Sequence, residues 1–475
     1  MKISPLLSLV TLACLNQITF ASETSEIHTI TNKDMTDISY YTDEYLVHSN
    51  LWGARAMKEN APPFQFNLHK ANGPLPCNVA YDWTIFDKFE TPIFPYMGYG
   101  DRLWATKPNS TTNKLPIQIK DIAVCDIYCD LEIDEKNFDR SKGNLAYDVW
   151  FARDKINNDD EKRIEIMLWF NRNEQYPVGG NNHQGVYSFF GIQWDLYVGN
   201  LKPKTEGGQG TTVCTFIAQT PAYKGMINFM KPIEIIKRKG LLLDTDYLGA
   251  FELGNEVYLG NGSTHIKGFH VDVQPVGLPQ DKLRLDWRFH HLPFSKQYFD
   301  GSHGITTSLK NQTAVEQASI AIRFRPLETE KRQILYKEGK TQNGLSIYLE
   351  KGQINFASWN TIDGKIVSSF SSTPLVKAIV NQNSKTSATY VNAVVSLDQA
   401  TATMTTYLDG EILGTQTFYG LEAKRGNTTF AFADGNAKLP YPDGVKQDAA
   451  FFNGIIDDIL IYDAILTPEQ VALIK

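Results

Sequence analysis

Short stretches in which apolar and polar residues alternate make up most of the chain. They are separated by Gly, Asn and Asp, and few segments show the apolar spacing of a helix. The strictest alternation lies in 144–151 and 163–171, each of which turns one apolar face toward a core: Leu145, Tyr147, Val149 and Phe151, and Ile164, Ile166, Leu168 and Phe170. The pattern predicts an all-β protein built from β-sandwiches or jelly rolls.

Carboxylates lie on the opposite faces of these two predicted strands. A polar run over 153–161 has the composition of a hairpin loop, and pairing across it would place Asp148 and Glu165 on one face. Two neighbouring carboxylates cannot both ionise cheaply, so a shared proton would tune the charge of Glu165. Met167 and Trp169 share its face and would desolvate it, which favours a chemical role. The alternative is two independent surface acids.

A second acid candidate lies in the run 247–259. Glu252 and Glu256 share one face of an extended segment but lie about 13 Å apart, so they cannot form a catalytic pair by themselves. Glu256 would instead face Glu165, and two carboxyls about 5 to 5.5 Å apart would make a retaining glycosidase. Sequence spacing alone does not determine whether Glu165 and Glu256 come this close.

The chain divides at a segment without apolar periodicity. Residues 274–282 hold two prolines and a glycine, which indicates a linker over 275–283 between domains at 22–274 and 284–475. Strand and turn signals continue in the second domain, at 318–324, in a hairpin of 345–349 and 353–358 around Lys351-Gly352, and at Asp409-Gly410. A second sandwich is therefore expected.

The N-terminus has the features of a secretory signal peptide. Lys2 precedes an apolar stretch from Leu6 to Leu15, and Thr19-Phe20-Ala21 supplies the small residues of a cleavage site. We assign residues 1–21 to the signal peptide and expect a mature protein that begins near Ser22 and is secreted, either extracellular or periplasmic. No later segment is long and apolar enough to span a bilayer, so no membrane partner is expected.

Composition narrows the classes of function. Basic residues number 46 against 53 acidic ones, a net charge of −7, whereas a nucleic-acid binder needs a basic surface. Aromatic residues make up 12% of the chain, more than a core alone needs, which indicates exposed rings at a ligand surface. We expect a monomer that binds no nucleic acid.

Four cysteines remain after removal of the signal peptide: Cys77, Cys125, Cys129 and Cys214. On one strand, Cys125 and Cys129 would lie about 13 Å apart, too far for a disulfide, and they would pair only across a turn. The spacing matches no zinc pattern. We expect structural cysteines, bridged or simply buried, and no metal site.

Six segments, in order, resemble the motifs of glycoside hydrolase family 12, which comprises endoglucanases and xyloglucan hydrolases. Glu165-Ile-Met-Leu-Trp169 is similar to the family's Glu-(Leu/Ile)-Met-(Ile/Val)-Trp strand, whose first Glu is the nucleophile. The other five are Asn50-Leu-Trp-Gly53, Asn144 to Phe151, Pro177-Val-Gly179, Trp194-Asp-Leu-Tyr-Val-Gly199 and Gly254-Asn-Glu256, the last at the place of the acid/base. The resemblance covers about residues 30 to 274 and implies a jelly roll with an open cleft.

The resemblance implies hydrolysis of a β-glucan by double displacement, with no cofactor. Glu165 would be the nucleophile and Glu256 the acid/base, while Asp148 would hydrogen-bond Glu165 and set its charge. Substrate-binding roles are implied for Asn50, Trp52, Met167, Trp169 and Pro177. An indole face suits stacking on a glucose ring, so Trp52 is the best candidate platform, with a buried core position as the alternative. For Met167, plain packing is equally open.

Departures from the family's pattern surround the acid/base. Val257 stands where members have Pro, and Asn255 stands where they have Phe or Thr. The glycine-rich continuation is altered to Tyr258-Leu-Gly-Asn-Gly262, and Ser49-Asn50 reduces a twin Asn. These departures bear on the aglycone side of the site and hence on substrate preference.

The end of the chain resembles laminin G-like, concanavalin A-type domains. The similarity lies in Phe452 to Tyr462 and the following Leu466 to Gln470, where Thr467, Pro468 and Gln470 have the arrangement of a capping box. Such domains often bind carbohydrate, and some hold calcium, for which the residues here give no support. A spacer role is almost equally open.

Three classes of function remain. An endo-β-1,4-glucanase acting on cellulose, xyloglucan or a related β-glucan requires both Glu165 and Glu256. A non-catalytic glycan-binding protein would show affinity without turnover, and a structural surface protein would show neither. The intact acid pair favours the enzyme, with a β-glucan polysaccharide as its partner.

Overall fold

A computed structural model describes residues 26–57, 60–70, 79–102, 110–134, 141–153, 163–202, 210–288, 297–310, 316–340, 343–375, 390–419, 429–433 and 449–474. Strands dominate these residues and form two β-sandwiches, which confirms the all-β prediction. The predicted signal peptide, Cys77 and residues 154–161 of the predicted hairpin loop lie outside the described residues.

Fifteen strands of the described chain form the first sandwich. In chain order they are β1 (Glu26–Thr31), β2 (Ser39–Thr42), β3 (Tyr45–His48), β4 (Phe64–Lys70), β5 (Val79–Ile85), β6 (Tyr96–Gly100), β7 (Ile117–Gln118), β8 (Ile122–Ile133), β9 (Lys142–Ala152), β10 (Arg163–Asn173), β11 (His183–Phe189), β12 (Ile192–Leu201), β13 (Thr211–Ala218), β14 (Lys224–Asn228) and β15 (Tyr247–Pro275). Helices α1 (Trp52–Met57) and α2 (Met230–Arg238) and a 3₁₀ turn (Ile119–Asp121) connect them.

One long strand, β15, belongs to both sheets of this sandwich. Its residues 247–259 pair with β6 and β9 in a front sheet of order β2-β3-β6-β15-β9-β10-β13-β12-β11, and β7 adds to β15. Its residues 260–275 pair with β5 and β8 in a back sheet of order β1-β4-β5-β15-β8-β14. The chain thus crosses between sheets within a single strand, as expected for a jelly roll.

The core between the sheets decides which side chains face outward. The eight apolar residues that alternation assigned to the core in β9 and β10 are all fully buried. Each such burial contributes about 1.5–3 kcal/mol, and a one-residue slip would turn the whole set to the other face. The remaining residues of β9 and β10 therefore lie on the outer face of the front sheet.

The second sandwich contains two sheets of its own. Its strands are β16 (Leu283–Arg288), β17 (Gln297–Asp300), β18 (Ile305–Lys310), β19 (Gln317–Pro326), β20 (Gln333–Lys340), β21 (Asn343–Glu350), β22 (Gln353–Ile362), β23 (Lys365–Pro374), β24 (Val391–Asp398), β25 (Thr403–Leu408), β26 (Glu411–Thr417), β27 (Thr429–Phe432) and β28 (Asn453–Tyr462). One sheet has the order β16-β28-β19-β24-β25-β26, with β17 beside β28, and the other has the order β18-β27-β20-β21-β22-β23.

Local signals in the second domain are confirmed. Lys351 and Gly352 both have positive φ in the turn of the β21–β22 hairpin, and Asp409 and Gly410 do the same between β25 and β26. Helix α3 (Pro468–Val471) begins at a capping box formed by Thr467 and Gln470. These turn and cap residues act through local geometry, so the sequence alone identifies them.

The connection between the sandwiches is short and anchored at both ends. A 3₁₀ turn (Gln280–Lys282) follows β15 and leads into β16. The Val276 N–H donates to Asp121 O of the first sandwich at 2.8 Å, and Gln470 Nε2 donates to Gly277 O at 3.1 Å. The joining segment is therefore fixed to each of the units that it links.

The cysteines that the structure describes are packing residues. Cys125 and Cys129 both lie on β8, as the spacing argument assumed, and both are buried and unbridged, while Cys214 is buried on β13. Burial raises the pKa of the Cys125 and Cys129 thiols, which disfavours their reactive thiolate form. Among the described residues, no helix combines the length and the apolar character that crossing a membrane requires.

Candidate active site

Acidic side chains converge on the outer face of the front sheet. Glu252 of β15 lies opposite Asp148 of β9, and Asp148 lies opposite Met167 of β10. Glu165 lies two residues before Met167, opposite Trp150 and diagonal to Asp148. The predicted pairing of β9 with β10 therefore forms, and it places Asp148 and Glu165 on one face.

Asp148 and Glu165 interact through charge, without the hydrogen bond that the resemblance implied. In the part of the chain that the structure describes, no hydrogen bond joins the two carboxyls, and Asp148 Oδ1 is buried without a partner. The register explains this, because diagonal neighbours lie farther apart than residues directly opposite each other. Burial, and then the charge of Glu165, raises the pKa of Asp148 well above its usual range.

Glu256 completes the acid cluster from β15. It lies opposite Asn144, whose Nδ2 donates to Glu256 Oε2 at 2.6 Å, and Gln175 Nε2 donates to the same oxygen at 2.7 Å. Burial raises the pKa of Glu256, although these two hydrogen bonds act to lower it. Burial, and then the charge of Glu256, raises the pKa of Glu165 to about 8. The two glutamates named from the sequence therefore interact electrostatically.

Burial disfavours full ionisation of the acid cluster formed by Asp148, Glu165 and Glu256. Burial raises the pKa of Asp148, of Glu165 and of Glu256, and each proton gained relieves repulsion on the others. Within the described residues, no group of His, Cys, Asp or Glu has an arrangement suited to a metal ion. A proton held by one carboxyl reduces the repulsion on the others, so one member can be charged while another is protonated.

An arginine that the sequence did not single out borders the cluster. Arg102 follows β6 and binds Glu252 through two hydrogen bonds, with Nε 2.6 Å from Glu252 Oε1 and Nη2 bonded to Oε2. Its guanidinium lies 4.8 Å from the centre of the Trp150 ring, and Trp150 Nε1 donates to Glu252 Oε2 at 3.2 Å. The positive charge of Arg102 acts to lower the pKa of Glu165. No motif predicted the pair, because its members lie 150 residues apart.

Trp52 lies just after β3 and is exposed to solvent. It begins α1 and is 55% exposed, so the alternative of a buried core tryptophan is wrong. Asn50 precedes it with a positive φ of 37°, and its carbonyl accepts the Phe94 N–H at 3.0 Å. Gly53 fixes the helix start, since a Cβ there would lie 1.9 Å from Thr91 O. The backbone thus holds an exposed indole beside the front sheet.

Three other predicted binding residues are buried, and two of them, Met167 and Trp169, belong to a packed layer on the same face. Met167 is 4% exposed, Trp169 is 2% exposed, and Pro177 is buried. Met167 and Trp169 pack with Ala146, Val213 and Ile217, and Val178 covers this cluster from the loop after β10. Met167 therefore makes the packing contacts that the sequence analysis gave as the alternative to substrate binding. Trp169 offers no exposed face on which a sugar could stack.

Buried polar atoms on this face point to a polar ligand. In the described chain, Asp148 Oδ1, Trp169 Nε1, Gln175 Oε1 and Thr215 Oγ1 are buried without a hydrogen-bond partner. Thr215 of β13 lies opposite Met167, so these atoms surround the acid cluster. Buried polar groups are almost always hydrogen-bonded, so water or ligand hydroxyls are the expected partners.

The two departures beside the acid/base position lie on the inner side of β15. Asn255 is fully buried: its Oδ1 accepts the Tyr81 and Thr264 hydroxyls at 2.7 Å, and its Nδ2 donates to Asn144 O at 3.1 Å. Val257 is also fully buried and bridges Ile93. These residues therefore affect the packing behind Glu256 and leave the side chains of the outer face unchanged.

Comparison with known proteins divides the chain into two parts. Residues 43–274 match the profile of glycosyl hydrolase family 12, and residues 299–472 match that of the concanavalin A-like lectin/glucanases superfamily. Endoglucanase S of Pectobacterium parmentieri is 23% identical over 248 residues, which cover 51% of this chain and 87% of that protein.

Two solved structures illustrate the structural similarity. A family 12 xyloglucanase from Bacillus licheniformis is 19% identical and matches 52% of this chain and 100% of its own, with a TM-score of 0.43. An endoglucanase from Rhodothermus marinus is 17% identical and matches 52% of this chain and 100% of its own, with a TM-score of 0.41.

Proposed function

Since residues 43–274 form a glycosyl hydrolase family 12 domain, we propose that the protein is a secreted endo-β-1,4-glucanase that hydrolyses cellulose or a related β-glucan with retention of configuration. The observation that carries the proposal is the cluster of buried carboxyls, Asp148, Glu165 and Glu256, whose raised pKa values favour a shared proton. A retaining glycosidase needs one ionised and one protonated carboxyl at the same glycosidic bond, and such a cluster supplies both.

The first displacement forms a glycosyl-enzyme. Glu165 attacks the anomeric carbon, the bond from that carbon to the leaving oxygen breaks, and Glu256 gives its proton to that oxygen. In the second displacement, water attacks the same carbon, the ester to Glu165 breaks, and Glu256 takes the proton of the water. Two inversions give net retention.

Neighbouring groups influence the charge of each carboxyl in the acid cluster. Burial, and then the charge of Glu165, raises the pKa of Asp148 well above its usual range, and a proton held by Asp148 removes one negative charge from beside Glu165. Arg102 acts in the same direction, because its charge lowers the pKa of Glu165. Asn144 and Gln175 orient the carboxyl of Glu256 through Oε2 and leave Oε1 for the proton transfer.

A substrate panel tests the proposal. Purified residues 22–475 and the Glu165→Gln variant are incubated with carboxymethylcellulose, mixed-linkage β-glucan, xyloglucan and xylan, and reducing ends and viscosity are followed. Rapid loss of viscosity on a β-glucan, absent in the variant, would support endo-hydrolysis and identify the preferred glucan. Affinity for a glucan without turnover on any of the four would transfer the assignment to a glycan-binding protein.

Arg102→Met and Glu252→Gln are expected to move the pH profile of kcat/KM in opposite directions. The charge of Arg102 lowers the pKa of Glu165, and that of Glu252 raises it. Loss of Arg102 therefore moves the profile to higher pH, and loss of the Glu252 charge moves it to lower pH. Initial rates on a soluble β-glucan across the pH range measure both shifts.

The matched control for this pair is Lys224→Met. It removes an exposed cation on β14 of the back sheet, whose partner there is Asp130, and it should leave the profile in place. A shift of both site variants in the same direction would contradict the assigned electrostatics.

Trp52→Ala is expected to raise KM for polymeric glucan about tenfold while kcat changes little, because an exposed indole contributes stacking on a sugar ring. Ile27→Ala is the matched control, since Ile27 is equally exposed at 55% but lies on β1, the edge strand of the back sheet. Steady-state rates against glucan concentration measure both. Equal effects of the two substitutions would remove Trp52 from the substrate site.

Secretion rests on residues 1–21, which supply the signal-peptide features. We propose that export removes them and that the mature chain acts as a monomer without a cofactor. Mass spectrometry of the exported protein should give an N-terminus near Ser22, light scattering should give one chain, and activity should persist in a metal chelator. An uncleaved N-terminus, a dimer or loss of activity in the chelator would each contradict the corresponding part.

A further inference from the structure

A buried ion network joins the two sandwiches. Arg323 of β19 lies between Asp457 of β28, in its own sandwich, and Glu44 at the turn between β2 and β3 of the first. Its Nη2 lies 2.6 Å from Glu44 Oε1, and all three side chains are at most 4% exposed. Tyr390 stacks on the guanidinium at 4.1 Å and donates its hydroxyl to Asp43 Oδ1 at 2.6 Å. The turn of the β2–β3 hairpin is therefore enclosed by the second sandwich.

A second contact between the sandwiches involves Asp457 and its neighbour Asp458 on β28. Lys114, from the segment between β6 and β7, lies 4.0 Å from Asp457 Oδ2 and 3.7 Å from Asp458 Oδ2. Its side chain is 10% exposed. Asp457 is thus shared between Arg323 and Lys114, so one strand of the second sandwich meets two separate segments of the first.

Both segments lead directly to the candidate active site. From Glu44, strand β3 runs to His48, whose ring packs edge-on against Tyr96 at 5.4 Å, and then to Asn50 and Trp52. Four residues of strand separate Glu44 from His48, about 13 Å. A displacement of the enclosed turn would therefore displace the backbone that presents Trp52.

The Lys114 segment supports the start of the Arg102 loop. Thr111 Oγ1 accepts the Gly100 N–H at 2.8 Å, and the Tyr99 hydroxyl donates to Thr112 Oγ1 at 3.1 Å. Gly100 is the last residue of β6, and Arg102 follows it two residues later. The second sandwich is thus linked to the segments that carry Trp52 and Arg102.

The physics of such a network favours a role in orientation. Burying ions costs hydration free energy that their mutual attraction offsets only in good geometry, so a buried network adds little net stability. Removal of one partner is different, because the remaining buried charges then lose part of their compensation. The network therefore disfavours every docked arrangement except the one that pairs Arg323 with Glu44.

We propose that the second sandwich is a fixed brace for the substrate site, and that Arg323 is a positioning residue that holds the β2–β3 hairpin, and with it Trp52, in place. Its role in catalysis rests on the proposed glucanase function. The brace acts on substrate affinity, since Trp52, which Arg323 positions through the β2–β3 hairpin, is exposed and lies outside the acid cluster.

The test compares Arg323→Met with wild type in the full chain. Scanning calorimetry should show one cooperative transition in wild type and two in the variant, because undocking separates the unfolding of the sandwiches. Titration calorimetry with a cello-oligosaccharide, with Glu165→Gln added to both chains so that the ligand is not hydrolysed, should show affinity weakened about tenfold. The kcat of the variant at saturating glucan should stay within about twofold of wild type.

The matched control is Arg332→Met. Arg332 pairs with Glu350 at 3.0 Å within the second sandwich, and its side chain is 9% exposed. This control should lower the unfolding temperature while it preserves one transition and the affinity. Equal weakening of affinity in the control would overturn the proposal, as would unchanged affinity in Arg323→Met.

Glu44→Gln is the second variant, for the case in which Arg323→Met does not fold. It keeps an acceptor for Arg323 and removes one charge, so it should weaken affinity in the same direction. Failure of the brace and failure of the proposed function are distinguishable. The first appears as unchanged affinity in the variants, and the second appears as glucan binding without turnover in wild type.

Discussion

Glu165→Ala is expected to abolish hydrolysis of β-glucan and to leave an enzyme that azide reactivates with inverted stereochemistry. Loss of a nucleophile typically lowers kcat by about 10⁴- to 10⁶-fold, because no neighbouring group replaces it. The substitution also empties the space of a buried carboxyl, where a small anion can attack the anomeric carbon. One displacement by azide converts an aryl β-cellobioside to the α-glycosyl azide.

The product's configuration makes this prediction specific for the nucleophile. Nuclear magnetic resonance of the azide adduct distinguishes the α from the β anomer. Asp148→Ala is the matched control, since Asp148 is a buried carboxyl of the same cluster that does not attack. An α-azide from the Asp148 variant but none from the Glu165 variant would reverse the assignment.

Glu256→Ala is expected to lower kcat on β-glucan by about 10²- to 10⁴-fold, because the leaving hydroxyl then departs without a proton. Cleavage of an aryl cellobioside with an acidic phenol should be largely spared in its first step, since that phenolate needs no proton to leave. Rates on the two substrates, measured side by side, give the ratio that identifies an acid. Azide should now give the β-glycosyl azide, because it replaces water in the second displacement.

Gln175→Ala provides the comparison for Glu256. It removes the hydrogen bond to Glu256 Oε2 and keeps the carboxyl. Its rate losses on glucan and on the aryl glycoside should therefore be more similar to each other than those of Glu256→Ala. Equal losses on both substrates in Glu256→Ala would contradict an acid role and would indicate a binding role for Glu256.

The strands at the centre of the site could be predicted because their signal is local. Alternation in β9 and β10 fixes which residues enter the core, and burial of all eight apolar residues leaves Asp148 and Glu165 on the outer face. The same period places Glu252 and Glu256 on one face of β15, opposite Asp148 and Asn144. Side-chain period is a property of neighbouring residues, so no tertiary information is needed.

Register was not predictable in the same way. The pairing of β9 with β10 places Asp148 opposite Met167 and contains a register shift between Trp169 and Asn171, and alternation alone determines neither feature. The hydrogen bond expected between Asp148 and Glu165 therefore does not form. Burial of Trp169 depends likewise on how a loop folds over the sheet, which alternation does not determine.

Ion pairs between residues far apart in the chain could not be predicted from the sequence either. Arg102 and Glu252 are separated by 150 residues, and Glu44 and Arg323 are separated by 279. No periodicity links such positions, and each of these residues taken alone resembles an ordinary surface charge. Their pairing becomes evident only when β6 lies beside β15 and when the second sandwich encloses the β2–β3 turn.

The most direct test of the central claim is to trap the glycosyl-enzyme with an activated 2-deoxy-2-fluoro-β-cellobioside and to locate the label by peptide mass spectrometry. The fluorine slows both displacements, and the good leaving group restores the rate of the first one only, so the covalent intermediate accumulates. The proposed mechanism predicts one fluorocellobiosyl group per chain, attached to Glu165, and no label in Glu165→Gln. Label on Glu256 or Asp148, or turnover of β-glucan with inversion and no label, would contradict it.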